Sequence, residues 1–217
     1  MLGVIGDLLP YSVPVALSPV PIIAVLLLLP GPVGNARGLS FLAGRLAAMM
    51  ALVFLASLLA GWLDAETGGK GGRIWLRLCL GLLLIALSVR TALKPAGAGM
   101  PGWMRALDRA TPMRSAGLGV LLTVANLKEL AFVAGAGIVL GTAMLPAGQA
   151  VAGAVLYSVL ATLSVILPVG WACSVDEDGK ARLLPLRDWL VANRSFLMAA
   201  VLLFIGALLT GGALAAL

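Results

Sequence analysis

Long apolar runs separated by short polar connections dominate the chain, and two of those runs are interrupted in the middle. Six stretches are apolar over roughly the length that carries a helix across a hydrocarbon core: about 8–29, 39–63, 74–93, 115–140, 147–173 and 195–214. The runs are continuous and do not alternate, which predicts helices and speaks against the short dyad-patterned strands of a membrane barrel. The expected fold class is therefore an all-α integral membrane protein with six transmembrane helices. Little chain is left over for a folded domain outside the membrane.

The interruptions sit at matching places in the two halves. The first is Ser18-Pro19-Val20-Pro21, and the second is Asn126-Leu127-Lys128-Glu129. Proline removes a donor from the helical ladder, and adjacent charges inside a span are costly. Between the third and fourth spans, Lys94-Pro95-Ala96-Gly97-Ala98-Gly99 reads as a flexible linker, followed by an amphipathic segment from Trp103 to Arg109. Thr111-Pro112 suits the start of the fourth span. The organisation is thus a three-helix repeat at 1–93, a linker with an interfacial helix at 94–113, and a second three-helix repeat at 114–217. Three spans per half is odd, so halves of one fold must be inverted: a 3+3 inverted repeat with broken helices 1 and 4.

Composition agrees: 61% of the 217 residues are hydrophobic and 11% charged, with mean hydropathy +1.09. A solvated domain carries far more charge. The net charge of +6 is scattered over loops and forms no stripe for nucleic acid. Sorted by alternate sides, eleven basic residues lie on the side of the first connection, and Lys70, Arg73 and Arg77 lie on the other. The positive-inside rule makes the richer side cytoplasmic and places both termini outside a bacterial plasma membrane. The first span reads as retained, because no basic region precedes it. Cys79 and Cys173, in apolar surroundings without a CxxC pair, read as small buried hydrophobes. Asp176-Glu177-Asp178 lacks the spacing of a calcium loop and reads as part of a solvated connection at 175–193. No metal, cofactor or nucleic acid is expected, and no nucleophile–base pair suggests an enzyme.

The candidate chemistry lies in the spans. Pro19 and Pro21 would leave carbonyls near Val15 and Leu17 free, so the first break is either an unwound segment offering carbonyls and the Ser18 hydroxyl to a ligand, or a packed kink. Asn126 and Glu129 share a helical face, with Lys128 about a quarter-turn away. Glu129 falls about 21 Å into its span at 1.5 Å per residue, too deep to snorkel comfortably. Two readings stand: Lys128 meets an anionic substrate group while Glu129 carries protons, or Glu129 forms a structural pair with Lys128 or Arg45. Arg45 either snorkels to the cytoplasmic surface or lines the same cavity, with Asn35 and Arg37 near its mouth. Gly135-Ala136-Gly137 with Gly141 is a small-residue face for packing within the chain or in a homodimer. Trp62, Trp75, Trp171 and Trp189 fall near span ends, as interfacial aromatics do.

At these motifs the chain resembles a known group. Ala16-Leu17-Ser18-Pro19-Val20-Pro21-Ile22 is similar to the first-span signature of the actinobacterial glycolipid- or sulfolipid-addressing (GAP/Sap) proteins, within the LysE exporter superfamily. Pro19-Val20-Pro21 resembles that superfamily's Pro-Gly-Pro, and Asn126-Leu127-Lys128 its Asn-Pro-Lys. Val20 in place of Gly favours the lipid-associated branch. Leu127 in place of Pro suggests that the second break is weaker than the first. The resemblance implies an inner-membrane exporter that delivers amphipathic lipids outward. The expected site residues are Ser18, Pro19, Pro21, Arg45, Asn126 and Lys128 for substrate, with Glu129 for proton coupling. Expected partners are an anionic or zwitterionic substrate and membrane lipids. Efflux of a small solute such as an amino acid, and a non-transporting scaffold for lipid assembly, are the alternatives.

Overall fold

A computed structural model describes residues 2–67, 82, 85, 86, 88–90, 93, 107, 110–143 and 145–214. The third expected span, 74–93, and most of the 94–113 linker, with Cys79 and Trp75, lie outside the described residues. Every regular element among those described is helical. In chain order they are α1 (Leu2–Ala16), α2 (Pro19–Leu28), α3 (Gly34–Thr67), α4 (Pro112–Val124), α5 (Leu127–Thr142), α6 (Ala147–Cys173), α7 (Glu177–Ala181), α8 (Leu184–Ala192) and α9 (Arg194–Leu214).

Among the described residues, two helices are each long and apolar enough to cross a membrane, through Gly34–Trp62 and Ala147–Cys173. Two bent pairs, α1–α2 and α4–α5, raise that number to four if each pair is one span. Ser195–Phe204 of α9 is a shorter apolar stretch. Large apolar side chains such as Leu55, Leu58, Leu121, Leu167 and Phe204 are exposed, as a lipid-facing surface requires. The chain is a membrane protein.

The bends fall at the two interrupted motifs, at 54° for the first and 71° for the second. The second break is therefore the sharper one, contrary to the expectation drawn from Leu127. Its cause is not a proline: Asn126 is extended (φ −91°, ψ 92°), and Leu127 is the first helical residue of α5, whose N–H no helix needs. The first break also differs from an unwound loop. Only Leu17 and Ser18 separate α1 from α2, and Pro19 opens α2 at the position where proline is best tolerated. The Val15 carbonyl is not free, because it accepts from the Ser18 N–H at 3.1 Å.

Packing leaves a layer between two apolar clusters. One gathers Leu8, Tyr11, Val15, Met49, Phe132 and Tyr157; the other gathers Ile23 to Leu29 with Phe41, Val165 and Val169. Ser18 lies between Val15 and Ile23 along the first pair, and Arg45 lies between Phe41 and Met49 along α3. The small-residue face of α5 is used inside the chain: a side chain at Gly137 would strike Ala56, and one at Gly141 would strike the Ser57 carbonyl of α3. Thr111 caps α4 by accepting from the Arg114 N–H at 3.4 Å, with Pro112 in the first turn, as the sequence predicts. The connection at 175–193 is more ordered than expected, since it folds into α7 and α8. Cys173, expected to be buried, is exposed at the end of α6. Trp62, Trp171 and Trp189 are exposed.

Candidate functional site

Among the described residues, the layer between the clusters holds three charges. Arg45 is 1% exposed, Lys128 3% and Glu129 0%. Arg45 does not snorkel. Its Nη1 lies 2.9 Å from Glu129 Oε2 and also donates to Thr123 Oγ1 at 3.1 Å. The Thr123 hydroxyl in turn donates to the Gly119 carbonyl at 2.8 Å. Gly119 permits the approach, because a side chain there would strike the Phe41 carbonyl and the Arg45 backbone nitrogen. The other Glu129 oxygen accepts from Asn126 Nδ2 at 3.1 Å. Of the two structural pairs open from sequence, the one formed is Arg45–Glu129.

Lys128 is left out of that pair. Its Nζ donates to Ser18 Oγ at 3.0 Å and lies 3.8 Å from Met198 Sδ. A hydroxyl and a thioether do not neutralise an ammonium. With both basic groups charged and Glu129 ionised, the layer carries one excess positive charge among the described residues. An unpaired buried cation is costly in an apolar bundle. Its position adds to that cost, since Lys128 sits in the first turn of α5, the positive end of the helix dipole. Ser18 is the N-cap of α2, so two helix N-termini approach the same ammonium. Together these groups favour an anion.

Space for one lies alongside. A cavity of about 310 Å³ is lined by Val20, Leu122, Asn126, Leu127, Lys128 and Met198, among others. Most of that wall is apolar, and Asn126 and Lys128 are its polar and charged members. The structure thus brings Ser18, Asn126, Lys128 and Glu129 together, with Arg45 behind Glu129. Pro19 and Pro21 are buried in the first turn of α2, and their part is to start the helix that presents Ser18. Thr123 and Met198 were not singled out from sequence. Thr123 carried a usable signal, as a hydroxyl in the fourth span three residues before Asn126; Met198 carried none. Tyr157 Oη, Thr162 Oγ1 and Arg45 Nε are buried without hydrogen-bond partners among the described residues.

A second polar contact ties the ends of the bundle. The α2–α3 turn passes through Gly31 at φ +87°, a conformation that favours glycine. The Gly31 N–H donates to Glu177 Oε2 at 3.1 Å, while Lys180 donates to Glu177 Oε1 at 2.8 Å. The Lys180 hydrogen bond, aided by the Gly31 N–H and the Lys180 charge, holds the Glu177 carboxyl below its ordinary pKa. Arg37 Nη2 donates to the Pro30 carbonyl at 3.0 Å and secures the same turn.

Among known proteins, the family model described as Sap, sulfolipid-1-addressing protein, matches residues 8–215, nearly the whole chain. Neither the curated proteins nor the solved structures give a match.

Proposed function

The chain belongs to the Sap, sulfolipid-1-addressing protein family, and on that premise we propose that it is a secondary exporter that moves an anionic amphipathic lipid, or its precursor, outward across the bacterial plasma membrane. One observation carries the reading: Lys128 is a buried cation with no carboxylate partner among the described residues, beside a cavity, where two broken helices meet. Paired broken helices at the middle of a bilayer are the usual setting of a transporter's substrate site. Asn126 and Lys128 line the cavity, and Pro19 and Pro21 start the helix that presents the Ser18 hydroxyl to Lys128. Lys128 neutralises the anionic head group.

Arg45 and Glu129 play the coupling part. Protonation of Glu129 would dissolve its pair with Arg45 and free the guanidinium for the substrate, so the ionised carboxylate and the anionic substrate compete for Arg45, and proton binding favours substrate binding. The two bent pairs belong to the 3+3 inverted repeat, with repeats at 1–93 and 114–217 joined by 94–113, and both termini outside. Energy comes from an ion or substrate gradient.

The test is transport by the full chain in proteoliposomes loaded with a fluorescent anionic lipid. Losing one charge-assisted contact costs about 1.5–3 kcal/mol, so Lys128→Ala should slow outward movement by about ten- to a hundredfold. Lys128→Arg should retain most of the rate, and the wild-type rate should respond to an imposed proton gradient. Lipid movement indifferent to Lys128 would remove the proposed chemistry. Movement of a small amino acid but not of the lipid would assign the site to solute efflux instead.

A further inference from the structure

A second cavity, of about 460 Å³, runs along α1. Leu9, Val13 and Leu17 of α1 form one side, and Val201 and Phe204 of α9 the other. Gly6, Pro10 and Pro14, spaced by four residues on the same face, complete it. Glycine and proline have no side chain that can swing in and fill the space on that face. Among the described residues, no charged, amide or hydroxyl side chain lines the groove. From Gly6 to Leu17 it extends about 17 Å at 1.5 Å per residue, the proportions of an alkyl chain.

The groove ends at the site. Leu17 precedes Ser18, whose hydroxyl takes the Lys128 ammonium. On α9, Met198 touches Lys128, and Ala200 and Val201 line the groove. The head-group cavity and the groove therefore flank a single junction of Ser18, Lys128 and Met198. A bulk phospholipid keeps its head at the membrane surface, whereas the inner end of this groove adjoins a buried cation. Charge complementarity and continuity select one occupant.

We propose that the α1–α9 groove binds the hydrocarbon chain of an anionic amphiphile whose head group is held at Lys128. The proposal rests on the export reading above and specifies how that substrate lies. Its head sits at the two breaks and its tail runs along the proline face of α1. The Ser18–Lys128 contact must then open for the head group to pass from the cavity beside Asn126 towards the α1 groove.

The experiment uses the full chain in phosphatidylcholine nanodiscs and a dodecyl sulfate probe with a diazirine at its chain end. Dodecanol carrying the same diazirine is the uncharged control. After irradiation, mass spectrometry should find the sulfate probe on residues 6–17 and 200–204, several-fold above the alcohol. Lys128→Gln should bring sulfate labelling down to the alcohol level, and Lys128→Arg should keep it high. Val13→Trp, which fills the groove, should displace both probes. Equal labelling by sulfate and alcohol in the wild type would mean ordinary lipid solvation and would overturn the proposal. So would sulfate labelling confined to other helices. If Lys128 governs transport while the groove shows no preference for sulfate, the groove assignment falls and the export reading stands. If Lys128 governs neither, both fall.

Discussion

The two broken pairs reach similar shapes by different physics. In α1–α2 the break is written locally: Ser18 is extended, Pro19 follows at the first helical position, and the broken segment itself contains no charged residue. In α4–α5 no proline is present at the break, yet the bend is larger, 71° against 54°. There the backbone turns at Asn126, and the break is anchored by a partner 84 residues away, through Arg45 and Glu129. A helix can thus be broken within a membrane by deleting a donor, or by giving its polar residues better partners elsewhere. The first kind supplies a neutral hydroxyl at Ser18. The second supplies a buried ion pair and, one residue away, a cation with no carboxylate partner among the described residues.

Substitutions can separate these two devices. The largest effect is expected at Glu129. Glu129→Ala strands Arg45 in the bundle and should cost about 3–5 kcal/mol of stability, read by unfolding of the purified protein in detergent. Adding Arg45→Met should recover much of that loss; a double variant no better than the single one would mean that the pair does not hold the break. Ser18→Ala comes next. It removes the hydroxyl acceptor of a buried ammonium and should cost about 1–3 kcal/mol in the same measurement. A smaller change, of opposite sign, is expected from Leu127→Pro. Leu127 is exposed at the first helical position, and the preceding Asn126 is already extended. Proline fits there and should stabilise by about 0.4–1 kcal/mol. A large loss would show that the Leu127 N–H matters.

The smallest effect concerns the Glu177 contact with Gly31 and Lys180. Lys180 first, then Gly31, favours the ionised carboxylate, so the folded pKa lies below the unfolded value near 4.5. The stabilisation is then complete above about that pH and fades as pH falls through the lowered folded value. Thermal melts should lose a small increment in that acidic window. Glu177→Gln should show no such increment; an identical acid response in the variant would assign it to other groups.

The sequence carried the break positions because both rest on local rules. Prolines in a span, and charges in a span, are anomalies visible without neighbours. It carried the helix limits well at Ala147–Cys173, where the apolar run and the helix coincide. The relative sharpness of the breaks was not legible, since the anchor of the second is a contact between distant residues. For the same reason the choice of Arg45 over Lys128 as partner of Glu129 stayed open until the helices were packed. Gly119 and Thr123 decide that choice by letting α3 lie close to α4. The exposure of Cys173 was equally hidden, because an apolar neighbourhood in sequence does not say which side of a helix faces the bundle.

If Lys128 is a substrate cation rather than a packing residue, transport must discriminate by charge. In proteoliposomes, the wild-type chain should move an anionic lipid at least about tenfold faster than an uncharged lipid of the same chain length, as one charge-assisted contact warrants. Lys128→Gln should erase that ratio while leaving the uncharged rate unchanged. A ratio that survives Lys128→Gln would mean that Lys128 does not bind the substrate's charge.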